Sequence, residues 1–145
     1  MNKILYGLRL PFSEKWLVKW SDPARGEVVV FKYLDLQKDY FLKRVIGLPG
    51  ERVKVADGKV TVYNGTHPEG IVIDESYLPD DLLTLGEKSL ELKANEFFVL
   101  GDNRMNSYDS RKFGAVDRSQ IVGRVVVRGW PLSKAQSFKA PSFNF

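Results

Sequence analysis

The sequence has no cysteine and a single histidine among its 145 residues. Lack of cysteine removes disulfides, thiolate nucleophiles and zinc-thiolate sites together, and leaves the redox compartment undetermined. The lone histidine, His67, stands in YNGTHPEG, a run of turn formers that places it in an exposed loop. A histidine-based triad and a histidine-rich metal site therefore have no candidate. Long apolar runs are missing too: the longest, such as VVVF at 28–31, hold four residues, against roughly 18 needed to cross a bilayer. The first ten residues, MNKILYGLRL, are interrupted by Lys3, Gly7 and Arg9, so they do not make the apolar core of a signal peptide. Repeats and low-complexity tracts are absent.

What is present suits one ordinary domain, with 43% hydrophobic residues to build a core. The net charge of +4 is uneven, because residues 1–72 carry 12 Lys/Arg against 8 Asp/Glu while residues 73–145 carry 10 of each. Beyond Asp117 there are no acids, and Arg118, Arg124, Arg128, Lys134 and Lys139 give a local +5. Such a region is either a solvated face or a surface for anionic lipid or nucleic acid.

Short β-like segments dominate. GEVVVFKY (26–33) and YFLKRVIGL (40–48) are rich in β-branched and aromatic residues, and RVKVADGKVTVYNG (52–65) alternates apolar and polar residues around Asp57-Gly58, the signature of a hairpin. EFFVLGD (96–102) and QIVGRVVVRGW (120–130) read as further strands. ESYLPDDLLTLGEKSLELKANE has turn signals and a weak case for one short helix, and the tail PLSKAQSFKAPSFNF is expected to wrap the surface or fray. The class is mainly β.

Two segments carry unusual chemistry. In FLKRVIGLPG, strand alternation puts Phe41, Lys43 and Val45 on one face and Leu42, Arg44 and Ile46 on the other, so the two cations point oppositely. One could be a solvent-facing edge gatekeeper and the other a snorkelling or salt-bridged residue. Alternatively, burial lowers the pKa of a lysine and yields a neutral amine fit to act as a general base, which an arginine cannot become. That reading assigns the base to Lys43 and an ion pair to Arg44. In VLGDNRMNSYDSRKFG, the stretch from Gly101 to Arg111 gathers two Asp, two Asn, two Ser and two Arg. Such a loop is either a turn with a surface pair or a scaffold that fixes a hydroxyl, Ser107 or Ser110, against a buried amine.

Taken in order, YGLRLPF, RGEVVVFKY, FLKRVIGLPGERV, VYNG, FFVLGDNRMNSYDSRKFGAV and IVGRVVVRGWP resemble bacterial type I signal peptidase over residues 2 to about 131. The resemblance implies a catalytic β core of antiparallel sheets, residues 1–58 and 96–131, shared in type with self-cleaving repressors. It also implies a smaller β insertion at 59–95, and leaves a tail at 132–145. It implies a serine endopeptidase with a Ser/Lys dyad that removes signal peptides from exported proteins. Lys43 matches the general base and Ser107 the serine that orients it; Asp109 and Arg111 match a bracing ion pair, and Arg44 and Asp102 match supporting positions, which we expect to pair with each other. Val30, Phe41 and Leu42 fall where the family lines shallow pockets for small side chains, suited to an Ala-X-Ala-like site. An extended substrate would add as a strand beside Phe41 to Lys43. No metal or cofactor is implied. The expected partners are signal peptides and a membrane lipid surface, with no nucleic acid, and the expected place is the outer side of the bacterial cytoplasmic membrane.

One departure stands beside these matches. The family's nucleophile lies in a Ser-Met-x-Pro-like segment just before the part resembled by NKILYGLRLPF, preceded by a membrane anchor, and neither is in this chain. Ser13, in LPFSEKW, has the wrong context and reads as a loop or cap residue, and Ser110 sits beside the Asp109/Arg111 brace. The chain by itself is therefore expected to show little or no peptidase activity. Two other readings stay open: a Ser/Lys self-cleaving repressor domain, and a non-catalytic β-module that binds peptide, anionic lipid or nucleic acid.

Overall fold

The alternating segments lay down two antiparallel sheets. The computed structural model describes residues 22–33, 40–125, 127–128, 136–137 and 140–145. Its strands are β1 (Val28–Lys32), β2 (Tyr40–Gly47), β3 (Arg52–Ala56), β4 (Lys59–Tyr63), β5 (Ile71–Val72), β6 (Lys88–Glu91), β7 (Glu96–Leu100), β8 (Val116–Asp117), β9 (Ile121–Val125), β10 (Val127–Arg128) and β11 (Gln136–Ser137). A four-residue helix, α1 (Ser110–Phe113), follows the polar loop. One sheet has the order β8-β7-β2-β1-β9 and the other β5-β4-β3-β6, while β10 pairs with β11.

The hairpin predicted at Asp57-Gly58 is β3–β4, with Ala56 opposite Lys59. Both turn residues have positive φ, 52° and 74°, which is the twist a two-residue connection needs and which Asp-Gly adopts at little strain. Residues 75–95, by contrast, form turns and β6 and hold no helix. Pro79 and Gly86, the latter at φ 116°, interrupt any helical run, and Glu75 and Thr84 are drawn away to a distant arginine.

β2 is a central strand, paired with β1 on one side and β7 on the other. The edge-gatekeeper reading of its cations is corrected: Arg44 is buried opposite Leu100 inside the ladder, and Lys43, one residue past the last β7 pair, is half-buried against Ser107 rather than solvent-facing. Each face of β2 feeds a different core. Ile46 packs with Val53, Val55, Val60, Val62, Phe98 and Leu100 between the sheets, and Val45 packs with Val29, Phe31, Phe97 and Val99 on the opposite face. Both faces are therefore buried, as the continuous apolar runs VVVF and FFVL require.

The junction between the sheets is ionic. Arg25 donates to both carboxylate oxygens of Glu51 at 2.9 and 2.6 Å and to the Ile46 carbonyl, while Glu51 also accepts from the Leu48 amide and the Asn64 side chain. Of the tail, residues 140–145 wrap this junction: Phe143 packs on the inter-sheet core, Phe145 lies under the Arg25 guanidinium, and Asn144 bonds the backbone of Val72 and Asp74.

Burial works to raise the Glu51 carboxyl, but the Arg25 guanidinium, Asn64 and the Leu48 amide outweigh it and hold it below 4.5. A depressed carboxylate contributes stability above its unfolded pKa and loses it as pH falls through the folded one. Glu51→Ala, which strands Arg25, is expected to cost about 3–5 kcal/mol at pH 7. Denaturant titrations over a pH series should show that gap closing as pH falls below 4.5.

Candidate active site

The β2–β7 ladder ends where Arg44 lies opposite Leu100. One residue further along each strand stand Lys43 and Gly101, and there the β7 chain turns away into the polar loop. The gap is filled by Ser107: Lys43 Nζ donates to Ser107 Oγ at 3.0 Å. Gly101 is required at this turn, since a Cβ there would lie 2.6 Å from Ser107 Cβ and 3.3 Å from Lys43 Nζ.

Asp109 organises the loop from beneath. Fully buried, it accepts from the Gly101 amide at 3.1 Å, from the Arg111 amide at 3.2 Å and from the Arg111 guanidinium twice at 2.9 Å. It caps α1 as well. Burial would raise its carboxyl; Arg111, the Gly101 amide and the Ser107 hydroxyl together hold it well down in the carboxylate range. Ser107 thus accepts from Lys43, and its hydroxyl is one of the groups that favour the ionised Asp109 carboxyl.

Lys43 is half-buried on the face of Val45 and Phe41. Burial lowers its pKa, and Arg111 adds to the fall, against the opposing pull of Asp109 and Asp102. On the other face, the expected pairing of Arg44 with Asp102 is present: two bonds at 2.8 and 2.6 Å, with a third to the Gly26 carbonyl at 2.8 Å. The Arg44 guanidinium also lies 4.3 Å from the Tyr77 ring centroid.

The three expected pocket residues divide between faces. Val30 and Leu42 are directly opposite across β1 and β2, while Phe41 pairs with Phe31 on the Lys43 side. There Phe41 meets an aromatic group formed by Phe31, Tyr33 and Tyr108. Ser110 is buried with its hydroxyl accepting from the Val99 amide, so it is a structural hydroxyl. His67 sits in a turn held by Asn64, with its ring edge against Phe145. Ser13 lies outside the described residues. In the basic C-terminal stretch Arg118 pairs with Asp22 and Arg124 with Glu27, so these two are not free for an anionic partner.

Arg104 and Glu75 were not singled out from sequence, yet they form a second largely buried ion pair beside Asp109 and Arg111. Arg104 is 0% exposed at its side chain, and its five N–H groups find five acceptors. They are the Gly101 carbonyl at 3.1 Å, Glu75 at 2.7 and 2.5 Å, Tyr77 at 3.1 Å, and Thr84. The signal was present only as an arginine inside GDNR. Among the described residues no cluster of three or more His, Cys, Asp or Glu is placed to hold a metal, and no helix is long and apolar enough to cross a membrane.

The sequence matches the family described as "Signal peptidase, peptidase S26" over residues 1–130. The chain belongs to the signal peptidase family. It is 39% identical over 137 residues to a signal peptidase I of Leptolyngbya laminosa, covering 88% of this chain and 63% of the relative. To a probable signal peptidase I-2 of Synechocystis it is 40% identical over 127 residues, 83% of this chain and 55% of the relative. To a Staphylococcus aureus signal peptidase IB it is 39% identical over 121 residues, 76% and 62%. The chain thus spans between about half and two thirds of the length of these relatives. A crystal structure of an Enterococcus faecalis signal peptidase I superposes with TM-score 0.59 at 26% identity, over 72% of this chain and 97% of that one. The mainly β class is therefore that of a solved signal peptidase.

A signal peptidase with a depressed lysine holds it at a stability penalty. Lys43 binds its proton less readily when folded, so the penalty is full below its folded pKa and vanishes above the ordinary value of 10.5. Lys43→Met, of similar length and uncharged, is expected to raise the melting temperature at pH 7, with the gain shrinking as pH climbs toward 10.5. Thermal melts at neutral and alkaline pH check the sign.

Proposed function

We propose that the protein containing this chain is a serine endopeptidase of the Ser/Lys type that removes signal peptides from exported proteins, with Lys43 as general base. The observation that carries this reading is the half-buried Lys43 amine bonded to Ser107 at 3.0 Å, in a loop braced by the buried Asp109. A neutral amine has two N–H groups and one lone pair; giving an N–H to Ser107 leaves the lone pair aimed at a different hydroxyl. Ser107, which accepts that N–H, is the proposed orienting hydroxyl and not the nucleophile.

The attacking hydroxyl is then a serine in a Ser-Met-x-Pro-like segment beyond the residues of this chain. Lys43 takes its proton as the oxygen attacks the substrate carbonyl, and the resulting ammonium gives that proton to the departing amine, leaving an acyl-enzyme. A water, deprotonated by the same amine, hydrolyses the ester. Asp109 and Arg111 brace the loop, and Arg44 with Asp102 neutralise each other on the far face of the strand. Val30, Leu42 and Phe41 are the proposed contacts for small substrate side chains. Tyr40 to Lys43 pair only with β1 among the described strands, which leaves a backbone edge for an extended substrate. Signal peptides are the proposed partners, at the outer face of the cytoplasmic membrane, where exposed Met105 and Tyr108 would meet lipid. The bounds 1–58 with 96–131 for the core and 59–95 for an insertion remain part of this proposal.

The test compares this chain with one extended upstream through the serine segment, on a signal-peptide substrate in detergent. Cleavage is expected from the extended chain only, lost on Lys43→Ala and lowered less by Ser107→Ala. Turnover surviving Lys43→Ala would remove the base assignment, and cleavage by neither chain would favour a peptide-binding β-module.

A further inference from the structure

The charged groups around Lys43 are held in place by a segment that the dyad itself does not include. From Glu75 to Leu85 the chain crosses the outside of the GDNRMNS loop, meeting Arg104 through Glu75, Tyr77 and Thr84 and Arg111 through Leu85. Glu75 forms a two-pronged pair with Arg104 at 2.7 and 2.5 Å. Tyr77 donates to Glu75 at 2.6 Å, accepts from Arg104 at 3.1 Å, and offers its ring to Arg44. The Leu85 carbonyl accepts from Arg111 at 2.9 Å. Burial and the adjoining Glu75 carboxylate push the Tyr77 phenol up, so it remains a donor.

These contacts converge on one residue, Gly101. Arg104 Nε holds the Gly101 carbonyl, Asp109 holds the Gly101 amide, and Gly101 is the residue against which Ser107 packs. We infer that Glu75 is a positioning residue: through Arg104 and Gly101 it sets where Ser107 meets Lys43, so the strap from Glu75 to Leu85 controls the base from outside the dyad. The inference rests on the reading of Lys43 as general base. Its physical ground is the cost of a buried guanidinium that loses its carboxylate. Arg104 would move toward water and take Gly101 with it, and small displacements of a reacting group have large effects on rate.

The experiment has two readouts. The first is the titration of Lys43, followed by NMR of its labelled side-chain ε-carbon in this chain. The groups facing that amine are Asp109, Arg111 and Asp102, none of which is altered. The second is kcat and KM against pH for the chain extended through the nucleophile segment. Glu75→Gln, which keeps the shape and removes the charge, is expected to raise the Lys43 pKa. It should lower kcat roughly tenfold or more with KM little changed, and shift the acidic limb of the profile to higher pH. Tyr77→Phe, a milder change that keeps the ring under Arg44, should move all three in the same direction by less, and carries the test should Glu75→Gln not fold. Val62→Ala, a cavity in the fully buried core of the four-stranded sheet, should lower the melting temperature and shift neither readout. A folded Glu75→Gln or Tyr77→Phe protein with unchanged Lys43 titration and unchanged kcat overturns the inference. An ordinary Lys43 pKa in the unsubstituted protein, with no cleavage by the extended chain, overturns the base reading beneath it instead.

Discussion

The site depends on one buried carboxylate. Asp109 has no solvent to stabilise its charge, so every lone pair must find a donor, and the donors it collects are the parts that define the site: the Gly101 amide, the Arg111 amide and guanidinium, and the Ser107 hydroxyl. A carboxylate so supplied stays ionised and pins the loop that carries Ser107, whose hydroxyl accepts from Lys43. Two bonds away, therefore, the geometry of an amine is fixed by an acid that never contacts it.

Strand alternation explains why two adjacent cations can be treated so differently. Arg44 falls on the face where Asp102, the Gly26 carbonyl and the Tyr77 ring converge, and its charge is fully compensated. Lys43, one residue earlier, reaches an apolar face where its direct partner is a hydroxyl rather than a carboxylate. Desolvation then dominates its titration. An arginine at the same place would stay charged, and a lysine beside Asp102 would have no reason to lose its proton.

What could be read from the sequence was what is local in the chain. The Asp57-Gly58 turn, the alternation in YFLKRVIG and the density of GDNRMNSYDSR each lie within a dozen residues, and each corresponds to a feature of the fold. The Arg44–Asp102 pair, 58 residues apart, was reachable only through the family resemblance, which marks both positions as supporting the site. Glu75 and Arg104, 29 residues apart, were not, because Glu75 belongs to a stretch of turns whose acids look alike. Which of Asp74, Glu75, Asp80 or Asp81 enters the core is decided by how the strap crosses the loop, and no local pattern records that. The weak case for a short helix there failed as well, since the turn signals prevail and Leu83 and Leu85 stand exposed.

The position of the site follows from where the sheet stops. β7 leaves its ladder at Leu100 because Gly101 bends toward Asp109 and Arg104, so β2 continues for four residues, Tyr40 to Lys43, with β1 as its only described neighbour. A strand edge of this kind is a hazard in most proteins, since it invites pairing with any extended chain. Here that edge coincides with Lys43. The polar loop that ends the ladder also supplies Ser107, so the unpaired edge and the hydroxyl bonded to the amine arise from the same divergence of two strands. An insertion that restored the β7 pairing would close the edge and displace Ser107 together, which is why a glycine with no room for a side chain stands at that corner.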